Sequence, residues 1–491
     1  MVNKTQEVVL TAADEGKKND APHYADDNLS DASSDVFALL AAKEEGHDIK
    51  YRTLSWQKAT LLLFGEYVCL AILALPWSFS VLGWGLGLVV QLGIGAITWY
   101  TSYTLWQWCM KYPDAHDICE IAAHLFPQFS KLAYEATAIM LLLNNIFLVG
   151  FHVFTGAKVL NTLSDHSVCT VGFQGIAALI GIVVSIPRTL KHVSMMSIVS
   201  AICMAIAILL ALIFSGIEPN PRGGYGGDWP TLGPVKTYGG IPPALSYADG
   251  VLTSSKLTFV NGFNAALNIT FLWVGQILYP SFIAEMREPR DFPKALAALT
   301  FLEMILFLVV SVVGYYYLGQ YAEAPMIGSL LLEKHRKAAF AFVIVPTVII
   351  GAIYSNVTAK FVYRRFLGNS RHAHSHTVLG WGTWIAITIV IWGIGFVLGN
   401  VIPSMGDFLS ILSAAFDSFF GFIFWAVAFY HLYRGKYFTS PLNSVLTVLN
   451  VFIFALGLLM LGAGMYTSVD AIIADYSGAV KGPFSCVDNA L

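Results

Sequence analysis

Residues 71–79 read AILALPWSF and residues 275–282 read GQILYPSF, and these two segments decide the fold. Each places a proline late in an apolar run and follows it with small and aromatic residues. Proline lacks an N–H donor and clashes with the preceding helical turn, so it can break a helix or only kink it. A break inside the membrane leaves backbone carbonyls and amides that a bound substrate or ion can satisfy. The two segments therefore predict either two kinked or two broken helices.

The composition around these segments is that of a membrane protein. Hydrophobic residues make up 56% of the 491-residue chain, charged residues make up 12%, and the mean hydropathy is +0.65. Soluble domains carry roughly 25% charged residues, so a chain of this composition needs the bilayer as its solvent. The net charge of −3 gives no general basic field for nucleic acid, and the six cysteines lack the CxxC spacing of a zinc or thioredoxin-like site.

Apolar segments long enough to cross the hydrocarbon core, which takes about 20 residues, recur eleven times. The distribution of lysine and arginine indicates their direction. With a cytosolic N-terminus, the internal loops hold 13 of the 28 basic residues and the external segments hold eight. The odd number of segments then predicts an external C-terminus. We call the segments spans 1 to 11, at residues 58–80, 83–108, 132–156, 168–187, 193–215, 258–281, 293–318, 338–362, 379–400, 405–430 and 442–466.

The two proline segments fall in spans 1 and 6, which cross the membrane in opposite directions. Inverted five-helix repeats, in which the first helix of each repeat is broken, are a known plan of transporters. We therefore predict an all-α integral membrane fold of about eleven transmembrane helices with a five-plus-five inverted repeat. Its parts are a disordered acidic cytosolic tail (1–55), a first repeat (56–215), an external loop (216–257), a second repeat (258–435), a peripheral eleventh helix (436–466) and an external C-terminal tail (467–491).

The N-terminal tail is polar and acidic. Residues 1–50 hold eleven acids and five lysines and no apolar run long enough for the hydrophobic region of a signal peptide, which favours disorder. Two interpretations remain open for this tail. It is a solvated leader, or it is a site of phosphorylation or ubiquitination through which trafficking machinery controls turnover.

Three motifs resemble those of the amino acid/auxin permease family, within the amino acid–polyamine–organocation superfamily, with the closest likeness to fungal neutral amino acid permeases. They are GEYVCLAILALPWSF at 65–79 with Leu82-Gly83-Trp84, EMREP at 285–289 with Phe292 and Lys294, and NVIP at 400–403 with Gly406-Asp407-Phe408. The resemblance implies the five-plus-five fold and proton-coupled uptake of amino acids. One departure stands out, because Cys69 and Ala71 occupy positions where family members often have glycine.

The predicted substrate site follows from the two breaks. A half-helix N-terminus offers unpaired amides and a positive dipole end to the carboxylate of an amino acid, and carbonyl ends attract its ammonium group. We place one break at Val68, Cys69, Leu70, Ala71 and Ile72. The aromatic-small-aromatic pattern of the family places the other at Phe271, Leu272, Trp273, Val274 and Gly275, although Phe271 and Trp273 could equally line a helix contact. Asn144, deep in span 3, is a further candidate, with helix association as its alternative role.

Acidic residues at membrane depth are the candidates for proton coupling, because their burial is costly. Glu66, Glu303 and Asp417 lie near the middle of spans 1, 7 and 10. Glu66 ranks first because it adjoins the first break. The alternatives are a carboxyl group that bonds a helix backbone or one that faces a water-filled vestibule.

These features predict a secondary active transporter of the plasma membrane that imports neutral amino acids, aliphatic and aromatic, by proton symport and alternating access. Its partners are the amino acid, the proton and the lipid bilayer, with no nucleic acid. No catalytic or phosphate-binding motif occurs, so we predict no enzyme activity, cofactor or metal site. An amino acid sensor of the same fold, a vacuolar exporter and sodium coupling remain alternatives. A disulfide between Cys169 and Cys486, both predicted to be external, is left open.

Overall fold

A computed structural model describes most of the chain from residue 54 onwards. For 191–196, 244–248 and 251–255 it describes the backbone alone. The tail at 1–53, with its predicted role in trafficking, lies outside the described residues. These are 54–113, 115, 117–187, 191–218, 235–240, 244–248, 251–255, 258–367, 377–477 and 482–489.

Eleven membrane crossings make up this part of the chain. Spans 1 and 6 are split, and span 1 runs into span 2 through the helix Leu75–Lys111, where Gly83 has a φ of +75°. The helices are Trp56–Tyr67, Leu70–Ala74 (3₁₀) and Leu75–Lys111 for spans 1 and 2; Ser130–Ser164, Thr170–Ser185 and Lys191–Ile217 for spans 3 to 5; Phe259–Trp273 and Tyr279–Glu285 for span 6; Phe292–Leu318, Glu333–Leu367 and Val378–Val401 for spans 7 to 9; Met405–Leu412, Ser413–Ile423 (π) and Phe424–Leu432 for span 10; and Pro441–Leu459, Met460–Gly464 (π) and Met465–Ser477 for span 11.

Length and apolarity alone identify eight continuous membrane helices among the described residues. The three remaining crossings do not meet this length criterion, and the reason is visible in each case. Spans 1 and 6 are divided, so neither reaches full length as a separate helix, and span 4, Thr170–Ser185, has only 16 residues. The predicted eleven-helix architecture is thereby confirmed. Span 11 differs from expectation in its end, because the helix continues to Ser477 instead of stopping at 466.

The described part of the loop at 216–257 contains an antiparallel hairpin that the all-α prediction did not include. Its strands are Ala244–Ala248 and Val251–Ser255. The rest of the described chain is helical apart from connecting segments and an isolated bridge between Leu54 and Met286.

The helix contacts follow the inverted repeat. Span 1 packs on span 7, and span 6 packs on span 2. Span 3 packs on span 9 as span 8 packs on span 4, and span 5 contacts span 8 as span 10 contacts span 3. Exchanging the two sets of five helices therefore leaves the pattern of neighbours unchanged. Close approaches at glycine hold some of these contacts: a Cβ on Gly314 of span 7 would lie 2.3 Å from the Pro76 ring in span 1.

Contacts between connecting segments sort into two ends, as alternating crossings require. At one end, Lys337 at the start of span 8 bonds Asp165 after span 3. At the other end, Arg365 after span 8 pairs with Glu135 at the start of span 3. The two ion pairs therefore lie at opposite ends of spans 3 and 8, which agrees with the opposite directions that the sequence assigns to these two spans.

Cys169 and Cys486 form a disulfide, which settles a pairing that the sequence left open. Cys169 precedes span 4 and Cys486 follows span 11, so the bond requires an even number of crossings between them. Spans 4 to 11 are eight crossings. The Thr170 hydroxyl also donates to the Val487 carbonyl at 2.7 Å, which fixes the C-terminal segment against span 4.

Candidate functional site

The first break is a full interruption of span 1. Its first half ends at Tyr67, and Val68 (φ −75°, ψ 76°) and Cys69 (φ −123°, ψ 169°) leave the helical conformation. A 3₁₀ turn follows, and the α-helix that begins at Leu75 has Pro76 as its second residue. The first turn of a helix has no internal partner for that N–H, so proline starts the second half without strain. The structure thus favours the broken helix over the kink.

The second break repeats this arrangement but lies further along the chain than predicted. Span 6 stays helical through Trp273, and Val274 is its first extended residue (φ −97°, ψ 107°). The second half starts at Tyr279 with Pro280 at its second position. Phe271, Leu272 and Trp273 are therefore not part of the break, which covers 274–278. The proline, which sets where a helix can restart, is a better guide to register than the aromatic pattern.

The two breaks meet through a pair of hydroxyl groups. Tyr67, the last residue of the first half of span 1, and Tyr279, the first residue of the second half of span 6, have their oxygens 2.6 Å apart. Both side chains are buried. Gly275 makes room for the contact, because a Cβ on this residue would lie 1.9 Å from the Tyr67 hydroxyl oxygen.

A cavity of about 100 Å³ lies at this junction. Both breaks contribute to its wall, and spans 3 and 8 close it from the other side. It is mostly apolar, with the Glu66 carboxyl as its acidic group. The lining residues are Glu66, Tyr67, Cys69, Leu70, Ala71, Leu148, Phe151, His152, Phe271, Leu272, Val274, Gly275, Leu278, Ile350 and Tyr354.

Seven of the eleven residues named for the predicted substrate site line this cavity: Cys69, Leu70, Ala71, Phe271, Leu272, Val274 and Gly275. The others are placed differently. Val68 faces a neighbouring vestibule. Trp273 is buried with its ring against Phe307 of span 7, while Ile72 and Asn144 are buried outside the cavity wall.

Spans 3 and 8 supply wall residues that the sequence did not indicate. Leu148, Phe151 and His152 lie on one face of span 3, and Ile350 and Tyr354 lie one turn apart on span 8. The His152 ring stacks on Tyr354 with centroids 6.3 Å apart. Helical spacing could have grouped each set, but the sequence does not say which face of these spans meets the breaks.

A larger vestibule of about 670 Å³ adjoins the cavity. It lies between the first half of span 1, span 5 and the second half of span 6, where small residues such as Ser197, Ala201 and Ala205 leave space. Glu285 at the end of span 6 lies on its wall. Glu66 lines both the vestibule and the cavity, so its carboxyl group stands between the two spaces.

The other two acids lie behind the breaks. Glu303 and Asp417 are 3% and 5% exposed, and Glu303 Oε1 and Asp417 Oδ2 have no hydrogen-bond partner among the described residues. Unpaired buried carboxyl oxygens are costly, which marks these positions as functional candidates. Asp417 lies in the π-helical segment Ser413–Ile423 of span 10, and such segments occur often at functional sites.

All three predicted acids converge on the first break. Glu303 and Asp417 both lie near enough to interact electrostatically with Tyr67. Asp417 and Glu66 interact in the same way with Tyr354. The acids come from spans 1, 7 and 10, so only the folded chain brings them together.

Side-chain hydrogen bonds hold the second break in place. The amide nitrogen of Gln276, which is fully buried, donates to the Thr101 hydroxyl at 3.1 Å and to the Thr98 carbonyl at 3.4 Å. Both partners are on span 2. The turn at 274–278 is therefore fastened to a neighbouring helix by its own side chain.

Comparison with known proteins places the chain among amino acid transporters. The model of the family described as "Transmembrane amino acid transporter protein" matches residues 52–469. The chain is similar to the N amino acid transport system protein of Neurospora crassa, with 28% identity over 449 residues and 90% of each chain covered. It is also similar to a transmembrane transporter of Gibberella moniliformis, with 25% identity over 91% of this chain and 90% of the relative.

Two solved structures are similar at lower identity. One is Mhp1, a nucleobase-cation-symport-1 family transporter with bromovinylhydantoin bound, at 14% identity and a TM-score of 0.49, with 87% of this chain and 93% of that chain covered. The other is MhsT in complex with L-phenylalanine, at 13% identity and a TM-score of 0.46, with 85% of this chain and 97% of that chain covered.

Proposed function

The chain belongs to the transmembrane amino acid transporter family, and from this premise we propose that it imports neutral amino acids together with protons. It is a multi-pass membrane transporter of amino acids and not an enzyme. The proposal adds three points: the neutral substrate class, the proton as the coupled ion, and the plasma membrane as the location. The observation that carries it is the cavity between the two breaks, with Glu66 on its wall.

The cavity wall favours a neutral side chain. None of its lining residues is lysine or arginine, and leucine, isoleucine and phenylalanine make up much of its surface. An acidic side chain would find no cation there. The carboxylate and the ammonium, which all amino acids share, would bind at the breaks, where half-helix ends offer unpaired backbone groups.

Cys69 fits this scheme although relatives of the family often have glycine there. The backbone amide of Ala71 lies beside its sulfur, whereas the Ile72 amide donates to the Cys69 carbonyl at 3.3 Å. Sulfur is a weak acceptor, so a substrate carboxylate can compete for the Ala71 amide at small cost. In the absence of substrate, the thiol offers this amide a weak partner.

Glu66 supports coupling because it touches both spaces. A residue that lines both the cavity and the vestibule can meet substrate on one side and exchange a proton through the second space on the other. Protonation removes its negative charge, and movement of the substrate past it then leaves no uncompensated charge in the membrane. Alternating access requires such a group to change surroundings during the cycle.

The disulfide supports the proposed orientation. Disulfides persist in oxidising compartments and are rare in the cytosol. Cys169 and Cys486 both fall on the side that the basic residues predict to be external, so the two arguments agree. An organelle lumen would serve the disulfide equally, and localisation therefore needs a separate measurement.

The deciding experiment is uptake of labelled neutral amino acids by a permease-deficient cell that expresses the chain, with and without a protonophore. We expect uptake that falls at least tenfold when the proton gradient collapses and that is unaffected by replacing external sodium. Uptake that persists undiminished without the gradient would refute symport. Binding without uptake would indicate a sensor, and a fluorescent fusion confined to the vacuole would indicate the exporter.

A further inference from the structure

We propose that the hydroxyl pair of Tyr67 and Tyr279 is a proton relay between Glu303 and Asp417. This inference rests on the proposed function and adds the route by which the proton crosses the centre of the molecule. It assigns a role to Tyr279, Glu303 and Asp417, which do not line the substrate cavity, and to the hydroxyl group of Tyr67, which does.

The hydroxyl pair has the geometry of a relay. Its oxygens are 2.6 Å apart, a short distance for an O–H···O bond, and either oxygen can donate. A hydroxyl group can accept one proton while it gives up another, because its oxygen is both a donor and an acceptor. Burial of both rings keeps bulk water from providing a parallel path.

Glu303 lies at the span 6 end of this pair. It belongs to the buried stripe of span 7 that also contains Phe292 and Phe307. The Phe292 ring packs on Tyr279 at 5.6 Å, and the Phe307 ring packs on Trp273 at 5.1 Å. These contacts flank the second break, so Glu303 faces it from span 7 and interacts electrostatically with Tyr279.

Asp417 lies at the other end of the pair. Its carboxyl group interacts electrostatically with Tyr67, and one of its oxygens lacks a partner in the described chain. The remaining polar groups near the pair are Ser102 of span 2 beside Tyr279, with Glu66 and Tyr354 on the far side of the first break. Glu303 and Asp417 are therefore the two proton-exchanging groups that the tyrosines separate.

The transfer balances without any added reactant. Protonated Glu303 gives its proton to the Tyr279 oxygen, Tyr279 passes its own hydroxyl proton to Tyr67, and Tyr67 passes its hydroxyl proton to the Asp417 carboxylate. Both tyrosines end as neutral hydroxyls. Because each hydroxyl belongs to a different broken helix, movement of span 1 away from span 6 lengthens the 2.6 Å link and interrupts the path.

Replacing each tyrosine by phenylalanine tests the relay, since the ring stays and only the hydroxyl is lost. The variants are Tyr67→Phe, Tyr279→Phe and the pair together. Tyr100→Phe is the matched control, because its half-buried hydroxyl accepts from Asn450 between spans 2 and 11, away from the breaks. The purified full chain, reconstituted in liposomes, is measured for substrate-driven proton entry with a trapped pH dye and for exchange of labelled leucine at equal concentrations.

We expect Tyr279→Phe to lose proton entry at least tenfold while retaining exchange within about threefold, and the control to retain both. Tyr67→Phe should also lose proton entry at least tenfold, but its exchange is not used as a criterion because Tyr67 lines the substrate cavity. Glu303→Gln should behave like Tyr279→Phe. Proton entry at the level of the unmodified chain in Tyr67→Phe and Tyr279→Phe overturns the relay, and so does equal loss of proton entry and exchange in Tyr279→Phe, which indicates a structural role. An unmodified chain that exchanges leucine without proton entry refutes the proposed symport itself.

Discussion

The breaks in spans 1 and 6 share a proline at the second residue of the following half-helix, but they differ in the hydrogen bonds that hold them. Behind the second break, Gln276 bonds two groups of span 2 with its own side chain. In the described chain, no side chain of the first break makes a bond of this kind to another helix. Its amides find local backbone acceptors instead: Cys69 N–H donates to the Tyr67 carbonyl at 2.8 Å, and Ile72 N–H donates to the Cys69 carbonyl at 3.3 Å. The second break is thus anchored to a neighbouring helix, while the first is held only by local bonds.

The acidic groups show the same asymmetry. Glu66 directly precedes the first break, and Glu303 and Asp417 approach it through Tyr67. At the second break the residue that matters is Gly275, which has no side chain and so admits the Tyr67 hydroxyl. The two breaks therefore share a backbone arrangement but differ in the side chains around them. We infer that the first break binds and titrates, whereas the second holds the geometry.

The largest expected effect comes from closing the space at the second break. A Cβ on Gly275 would lie 1.9 Å from the Tyr67 oxygen and 2.6 Å from its Cζ, so Gly275→Val must displace the tyrosine or the break. We expect uptake of labelled leucine to fall at least tenfold with normal membrane expression. Gly393→Val in span 9 is the control, because a Cβ added there would meet no atom of another helix within 4 Å. Normal uptake by Gly275→Val would show that the contact between the breaks is dispensable.

The next effect concerns the acid of the first break. Glu66→Gln keeps the shape of the side chain but cannot carry a proton, so stimulation of uptake by external acid should disappear. The measurement is the initial rate of uptake at pH 5 and pH 7, where the ratio is expected to fall to about one. Glu285→Gln, at the wall of the same vestibule, should keep the ratio of the unmodified chain. If acid stimulation survives in Glu66→Gln, coupling through this residue is wrong.

A smaller effect is expected from unfastening the second break. Gln276→Ala removes the bonds to Thr98 and Thr101 from a fully buried position, which should lower the free energy of unfolding by about 1–3 kcal/mol. Thermal denaturation of the purified chain, followed by size-exclusion fluorescence, measures this loss. Gln128→Ala, on an exposed turn between spans 2 and 3, should leave the melting temperature unchanged. An unchanged melting temperature for Gln276→Ala would remove the distinction between an anchored and an unanchored break.

The smallest effect on transport should come from the C-terminal segment, which lies away from both breaks. Cys169→Ser breaks the disulfide and leaves a free thiol at Cys486, and we expect uptake to stay within about twofold. A membrane-impermeant maleimide should label this variant on intact cells, and the unmodified chain only after reduction of its disulfide. Labelling that appears only after permeabilisation would place the C-terminus inside. A larger loss of uptake would show that the segment acts on the breaks.

The positions of the two breaks could largely be predicted from the sequence, but the residues around them could be predicted only in part. Pro76 and Pro280 placed both breaks within the correct spans. The position of Glu66 beside one break made it the first candidate for proton coupling, and this role stays a prediction. The second break was misplaced by three residues, because the aromatic pattern at 271–273 was aligned instead of the proline. His152 and Tyr354 were not assigned to the cavity between the breaks, since nothing local shows which side of a membrane helix faces a cavity and which faces another helix.

The sequence by itself determined the eleven crossings and the two interrupted helices. These properties depend on contiguous residues: the thickness of the hydrocarbon core sets the length of each apolar run, and proline removes a donor wherever it occurs. The tertiary structure alone decided that acids 237 and 351 positions beyond Glu66 converge on one break. It also decided that a glycine in one repeat makes room for a tyrosine in the other. Such pairings depend on the packing of whole helices against each other, which no local segment specifies.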